Sequence, residues 1–114
     1  MRAIFAVLWM LFVLAACQQS TTIKKPKDCL SEVEMTALLK DLHLAQARIM
    51  LLNPIGDSLK RSYQREYAKV FSIHHTNTII FRNSLQYYCS DPEKFDKVYN
   101  KIIVDLNQLE LKND

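Results

Sequence analysis

The sequence predicts an all-α protein, a small antiparallel bundle of three to four helices that follows a signal peptide and a flexible tether. Three observations support this fold class. The 114-residue chain contains one glycine, whereas β-rich folds need glycine repeatedly at hairpin turns with positive φ. After residue 31, apolar residues recur at steps of three and four, the spacing of one helix face. Residues that typically cap helices stand before each of these stretches.

Residues 1–16 have the pattern of a signal peptide. Arg2 gives a cationic start, and residues 3–16 are fourteen consecutive apolar residues, fewer than the roughly 20 that a membrane-spanning helix needs. The segment ends in Leu-Ala-Ala-Cys at Cys17, which resembles the lipobox of bacterial lipoproteins. The resemblance implies that cleavage leaves an acylated Cys17 as the first residue and anchors the protein to a membrane. An ordinary secretory signal with a coincidental cysteine is the alternative.

Residues 17–28 are predicted to comprise the lipidated cysteine and a flexible tether, and residues 29–114 the helical domain. The tether is polar and has too few apolar side chains to offset the entropy lost on ordering. A flexible segment of about ten residues reaches about 15–20 Å, so we expect the domain to work close to the bilayer. Gln18 and Gln19 stand where surface lipoproteins of some Gram-negative phyla carry acidic residues, and this resemblance favours an outer-membrane protein facing the periplasm.

The first helix is predicted to begin at Ser31, where Ser-Glu-Val-Glu fits a capping box, and to end at residues 53–56, Asn-Pro-Ile-Gly. Its expected buried stripe consists of Met35, Leu38, Leu39, Leu42, Ala45, Ile49 and Leu52. Asp57 or Ser58 is predicted to cap the second helix. The inward face of that helix is expected to contain Leu59, Tyr63, Tyr67 and Val70, with Phe71 at its edge.

Thr76 or Asn77 is predicted to cap a third helix. A strand over residues 79–81 is the alternative, although no partner strand is evident. The apolar residues of the third helix are Ile80, Phe81, Leu85 and Tyr88. Asp91 and Pro92 are typical of a helix start, and Glu93 places an acid in the first turn. The stripe of this fourth helix is Phe95, Val98, Tyr99, Ile102, Leu106 and Leu109.

The polar residues do not form a motif typical of catalysis or metal binding. His74 and His75 are adjacent, so on a helix they would point about 100° apart, and His43 flanks the buried stripe. Asp41 lies two residues from His43, a spacing that places them on different sides of a helix. A net charge of +3 without a dense basic patch does not indicate nucleic-acid binding. The sequence therefore predicts no catalytic residues, no metal, no cofactor and no nucleic-acid partner.

Two pairs of residues are further candidates. Cys29 and Cys89 are the pair of cysteines that remains once Cys17 is lipidated. Export would place both in an oxidising compartment, where they can form a disulfide, and two free thiols are the alternative. Tyr87 and Tyr88 are consecutive, so they cannot both point inward from one helix. Whichever of them points outward is the candidate contact with a protein partner, because tyrosine is enriched at interfaces.

Several short motifs follow one another in a distinctive order. They are the lipobox at Cys17, Asp-Leu-His-Leu-Ala at residues 41–45, Asp-Ser-Leu at 57–59, and Tyr-Tyr at 87–88 followed by Asp-Pro-Glu at 91–93 and Tyr99. This order resembles a domain-of-unknown-function family of small lipoproteins from Bacteroidota. The resemblance implies an outer-membrane lipoprotein with a compact helical domain, and it names no reaction.

The function expected from these features is that of a non-enzymatic, lipid-anchored helical module of the bacterial envelope. Its partners would be the membrane, through the N-terminal lipid, and another envelope protein for which it serves as an accessory subunit. The alternative is a carrier of a small apolar or lipid ligand, lined by Tyr63, Tyr67 and Phe81. A bundle of this size is expected to hold a core but hardly an enclosed pocket of about 300 Å³ as well, which favours the first function.

Overall fold

The computed structural model describes residues 1–7 and 23–113. Residues 2–7 are helical, whereas Cys17, the rest of the predicted signal peptide and the first part of the predicted tether lie outside the described residues. Between residues 23 and 113 the chain forms α1 (Glu32–Leu52), α2 (Asp57–Ile73), α3 (Thr78–Cys89) and α4 (Pro92–Asn113). The described residues contain no strand, so the predicted all-α class is confirmed. None of the helices in this part of the chain has the length and hydropathy needed to cross a membrane.

The helix α1 begins where the capping box predicts. The Ser31 hydroxyl oxygen accepts a hydrogen bond from the Glu34 amide at 3.2 Å, and the Ser31 amide donates to the Glu34 carboxylate at 2.8 Å. This backbone hydrogen bond from Ser31 lowers the pKa of Glu34. The helix ends at Asn53, which adopts the left-handed conformation with φ 46° directly before Pro54.

Two side-chain contacts establish that α1 and α2 run antiparallel. Asp41 lies 2.7 Å from His74, and Arg48 lies 4.0 Å from Glu66. Residue numbers therefore rise along one helix as they fall along the other. The helix α1 also packs against α4, and α3 packs against α4. The connections between consecutive helices are short, and together these contacts produce the predicted small bundle.

The core follows one face of α1 from Met35 to Ile49. The buried apolar side chains are Met35, Leu38, Leu39, Leu42, Ala45 and Ile49 of α1, together with Val70, Tyr88, Val98 and Ile102. The predicted stripe of α1 is correct except at its last member, because Leu52 is 76% exposed. Leu59, Tyr99 and Leu109 are likewise more exposed than their stripes predict. Leu52 and Leu59 flank the α1–α2 turn, and Leu109 lies near the end of α4.

The start of α2 differs from the prediction. Neither Asp57 nor Ser58 is its cap, because the N-cap is Gly56, with φ 59° and ψ −135° and no side-chain hydrogen bond. Asp57 is instead the first helical residue, and the Ser58 hydroxyl donates to the Ile55 carbonyl at 2.6 Å. A backbone with positive φ costs glycine little, which explains why the single glycine of the chain stands at this position.

The other caps follow the sequence. Asn77 caps α3, since its side-chain oxygen accepts from the amides of Ile79 and Ile80, both at 3.0 Å. Asp91 accepts from the Glu93 amide at 3.0 Å ahead of α4, and this hydrogen bond lowers the pKa of Asp91. Local side-chain chemistry thus sets where these two helices begin.

The end of α2 is a Schellman motif built without glycine. The His75 amide donates to the Ser72 carbonyl at 3.1 Å, and the Thr76 amide donates to the Phe71 carbonyl at 3.0 Å. His75 holds the left-handed position with φ 50°, which is uncommon for a residue other than glycine or asparagine. This motif turns the chain toward α3.

Candidate functional site

An apolar groove lies between α2 and the start of α3. It is open to solvent and has a volume of about 400 Å³. Its walls are formed by Tyr63, Gln64, Tyr67, Ala68 and Phe71 of α2 and by Thr78 and Phe81 of α3. The structure therefore brings together Tyr63, Tyr67 and Phe81, the three residues that the sequence names for an apolar ligand.

The aromatic rings of this groove, referred to below as the aromatic groove, are packed in two pairs. The rings of Tyr63 and Tyr67 meet edge to face with centroids 5.5 Å apart. The ring centroids of Phe71 in α2 and Phe81 in α3 are also 5.5 Å apart. The three α2 aromatics are spaced four residues apart and so share one side of the helix. Desolvation raises the pKa of Tyr67, which keeps its hydroxyl neutral. The lining is mainly apolar, and its polar groups are the two tyrosine hydroxyls and the side chains of Gln64 and Thr78, so it suits an apolar group more than an ion.

The outer surface of α2 near the aromatic groove is rich in cations. Its exposed basic residues are Lys60, Arg61, Arg65 and Lys69. The acid Glu66 is already paired, at 3.0 Å from the Lys69 ammonium and 4.0 Å from the Arg48 guanidinium. The hydrogen bond from Lys69 lowers the pKa of Glu66. The helix therefore presents a surplus of positive charge beside an apolar groove.

The two consecutive tyrosines have different environments. Tyr88 is buried, and its hydroxyl donates to the Leu30 carbonyl at 2.8 Å. Burial raises the pKa of Tyr88 to about 12. Tyr87 is half-buried, and the Lys94 ammonium lies 4.6 Å from the centre of its ring. Of the predicted pair, Tyr87 is thus the more exposed residue, and it also packs against the core.

A serine completes the attachment of the segment before α1. The Leu30 amide donates to the Ser84 hydroxyl at 2.9 Å, and that hydroxyl donates to the Ile80 carbonyl at 2.7 Å. Ser84 is fully buried, so its polar side chain is satisfied on both sides. Together with Tyr88, this residue fixes both the amide and the carbonyl of Leu30 to α3. Sequence reasoning did not predict this attachment.

The pair formed by Asp41 and His74 was also missed by sequence reasoning, which tested Asp41 only against His43. The Asp41 carboxylate lies 2.7 Å from Nε2 of His74, and both side chains are partly exposed. Counting outward from the turn at residues 53–56 would place Asp41 opposite Ala68, six residues from His74, so the hairpin pattern alone does not predict this pair. His43 instead meets the edge of the Tyr99 ring, with centroids 6.2 Å apart.

Cys29 and Cys89 are free thiols in the structure, Cys29 half-buried and Cys89 exposed. The two are not joined in the structure, and a disulfide between them stays a prediction. The residue of α3 that reaches the segment before α1 is Tyr88, and Cys89 follows it about 100° further around the helix. Among the described residues, no three His, Cys, Asp or Glu side chains are grouped closely enough to hold a metal ion.

Comparison with known proteins identifies the family of the chain. No curated protein and no solved structure matches it. The sequence profile of the domain of unknown function DUF4296 matches residues 26–112, which include all four helices of the bundle except the last residue of α4. The chain therefore belongs to the DUF4296 family of domains of unknown function.

Proposed function

We propose that the protein is a non-enzymatic, lipid-anchored helical module that binds another protein of the bacterial envelope close to the membrane. The anchor is supported by the sequence, in which a short apolar run ends in a lipobox at Cys17. The outer membrane, on its periplasmic side, is the proposed location. The single observation that carries the binding function is the open aromatic groove between α2 and α3.

The shape of the aromatic groove favours a protein partner over a small ligand. Sites for small ligands are concave enough to bury about 70–90% of the ligand surface. An occupant of an open groove keeps one side in water unless it belongs to a larger surface that covers the groove. Tyrosines such as Tyr63 and Tyr67 provide a large contact area with a polar tip, a combination enriched at protein interfaces.

The charge of α2 indicates the chemistry of the partner. Beside the aromatic groove, the exposed cations Arg65 and Lys69 share one acid, Glu66, at 3.9 Å and 3.0 Å, which leaves an excess of positive charge. A matching surface would place an apolar side chain in the aromatic groove and carboxylates around it. Such complementarity mainly accelerates association and excludes partners of the wrong charge.

A carrier of a small apolar or lipid ligand is the second candidate. It is favoured by the presence of Tyr63, Tyr67 and Phe81 in one groove of about 400 Å³, a volume within the range of ligand sites. The mass of whatever occupies the groove distinguishes the two functions.

The test is photocrosslinking in intact cells from Gln64, which lines the aromatic groove and is exposed. A photoreactive amino acid at Gln64 is expected to give a discrete protein adduct, and the same amino acid at the exposed Gln108 of α4 is not. Ala68→Lys fills the groove from an exposed position and should abolish the adduct, whereas Ala47→Lys, at an exposed alanine of α1, should not. A lipid-sized adduct would establish the carrier instead. No adduct, or equal adducts from both sites, would exclude the groove.

Tyr87 is proposed as a further contact with the partner. Its replacement by alanine is expected to lower the melting temperature less than Tyr88→Ala does, because Tyr87 is only half-buried, and to weaken capture of the partner, because interface aromatics contribute strongly to binding. Tyr88→Ala should destabilise the domain, since Tyr88 is buried. If both variants only destabilise, Tyr87 does not contact the partner.

The anchor is tested separately through Cys17. Cys17→Ala is expected to abolish incorporation of a labelled fatty acid and to prevent normal processing of the signal peptide. Continued labelling of this variant would contradict the proposed lipidation site. The result does not depend on what the aromatic groove binds.

A further inference from the structure

The turn between α1 and α2 exposes a cluster of aliphatic side chains, referred to below as the hairpin tip. Met50 is 66% exposed, Leu51 86%, Leu52 76% and Ile55 80%. These four residues lie within six positions of the sequence and surround the reversal of the chain. The hairpin tip is a convex protrusion formed by a helix end and a turn.

Cations surround the hairpin tip. Arg48 precedes it on α1, with a side chain that is 60% exposed, and Lys60 and Arg61 follow it as exposed residues of α2. Asp57 is the acid between them. Aliphatic side chains bordered by lysine and arginine are typical of segments that lie in the interface of an anionic bilayer.

The hairpin tip lies at the opposite end of α1 from the predicted tether. The tether enters the domain at Leu30, whose amide and carbonyl are bound to α3. The 21 residues of α1 span about 32 Å at 1.5 Å per residue. A lipid at Cys17 with a reach of about 15–20 Å holds one end of α1 near the membrane. The other end then meets the same surface if α1 lies along it.

We propose that the hairpin tip inserts its aliphatic side chains into the headgroup region of an anionic bilayer and gives the domain a second membrane contact. Lys60 and Arg61 bind lipid phosphates beside it. This inference rests on the proposed anchor, which keeps the hairpin tip at high local concentration beside the bilayer. It orients α1 along the membrane.

The composition and shape of the hairpin tip favour a bilayer over a protein. Protein hot spots are enriched in tryptophan, tyrosine and arginine, and they fit into a pocket of the partner. Residues 50–55 contain no aromatic side chain. A fluid bilayer accommodates a convex aliphatic protrusion without a matching pocket, and its phosphates complement the surrounding cations. The aromatic groove, with its tyrosines, is the surface suited to a protein.

The experiment uses the full protein purified from membranes and reconstituted into vesicles of phosphatidylcholine, with or without phosphatidylglycerol. Leu52→Trp reports on the hairpin tip, and Ile79→Trp is the control, because Ile79 is similarly exposed, at 71%, in the first turn of α3. Lipids brominated in their acyl chains quench tryptophan that enters the bilayer. We expect quenching of Leu52→Trp in phosphatidylglycerol vesicles and little quenching of Ile79→Trp.

Charge removal sharpens the test. Lys60→Gln combined with Arg61→Gln is expected to lower the insertion equilibrium about thirtyfold, because each cation at an anionic surface contributes about 1 kcal/mol. Lys97→Gln combined with Lys112→Gln removes two exposed cations of α4 and should leave insertion unchanged.

Four outcomes would overturn the inference. They are equal quenching at both tryptophans, absence of quenching at the hairpin tip, shielding of the hairpin tip only by an envelope protein, and a concentration-dependent shift in detergent that indicates a second copy. Labelling of Cys17 with fatty acid is measured on the same samples. A labelled protein without quenching refutes the membrane contact alone, whereas an unlabelled one refutes the anchor.

Discussion

The two ends of α1 are similarly apolar in sequence and opposite in environment. Met35 and Leu38, near the start, are completely buried, whereas Leu52, on the same face at the end, is 76% exposed. The first part of α1 is covered by α4 and by the segment that α3 binds, while the contact of Arg48 near its end is with α2. The apolar spacing of a helix thus selects the face that can be buried, and the neighbouring helices decide how far along that face burial extends.

The largest expected effect is the loss of a buried side chain near the start of α1. Leu38→Ala should lower the free energy of unfolding by about 2–5 kcal/mol, because it leaves a cavity in a fully packed site. Leu52→Ala, a chemically identical change on the same face at the exposed end, should change it by less than about 0.5 kcal/mol. Urea denaturation of the two variants measures both changes in the free energy of unfolding. Equal losses would show that the ends of α1 do not differ in packing.

A smaller effect is expected where α3 binds the segment before α1. Ser84→Ala removes the acceptor of the part-buried Leu30 amide, and a typical hydrogen bond contributes about 0.5–1.5 kcal/mol. The Leu30 amide should also exchange its hydrogen faster. Ser72→Ala, at an exposed serine of α2, provides the matched control. Unchanged protection of Leu30 in Ser84→Ala would show that this hydrogen bond does not hold the segment.

The buried Tyr88 hydroxyl predicts a pH dependence of stability. Its pKa is about 12 in the folded protein, above the ordinary value of 10, so the unfolded chain loses this proton first as pH rises. The stabilisation is complete below pH 10 and is lost as pH rises toward 12, with a decrease of about 1 kcal/mol between pH 10 and pH 11. Unfolding free energies of the wild type and Tyr88→Phe, compared across this range, isolate the contribution. If the unfolding free energies of the two proteins change with pH in the same way, the Tyr88 hydroxyl does not cause the pH dependence.

The smallest effect is expected at the pair between Asp41 and His74. Both side chains are partly exposed, and such pairs contribute about 0–1 kcal/mol. A double-mutant cycle with Asp41→Asn and His74→Gln measures their coupling energy at neutral pH. A coupling above about 2 kcal/mol would show that this part of the hairpin depends on the pair far more than its exposure implies.

The features predictable from the sequence are those determined locally. The capping box at Ser31 and the caps at Asn77 and Asp91 involve atoms within three residues, so the residue types alone indicate them. The prediction failed at Gly56, where a positive φ rather than a side chain begins α2. His75 was not expected in the left-handed conformation, because that conformation is chosen by the whole connection to α3.

The aromatic residues of the candidate site were predictable from the sequence, but their assembly into a groove was not. Helical spacing places Tyr63 and Tyr67 on one face, and the sequence names Phe81 as their companion, but only the meeting of α2 and α3 makes a groove of them. The attachment of Leu30 to Ser84 and Tyr88 joins residues more than 50 positions apart. Contacts at this separation depend on the packing of helices, which no local pattern specifies.

The attachment of Leu30 to α3 also determines how the domain would bear a mechanical load. A pull on the predicted N-terminal tether would enter the fold at Leu30, where the amide is bound by Ser84 and the carbonyl by Tyr88. The force would therefore be divided between α1, which continues the chain, and α3, which is hydrogen-bonded to the same residue. Both of these hydrogen bonds would have to break before a pull from this end unfolds the first turn of α1. The hydrogen bonds of Leu30 would therefore carry part of a load applied through the predicted tether before it reaches the packed core.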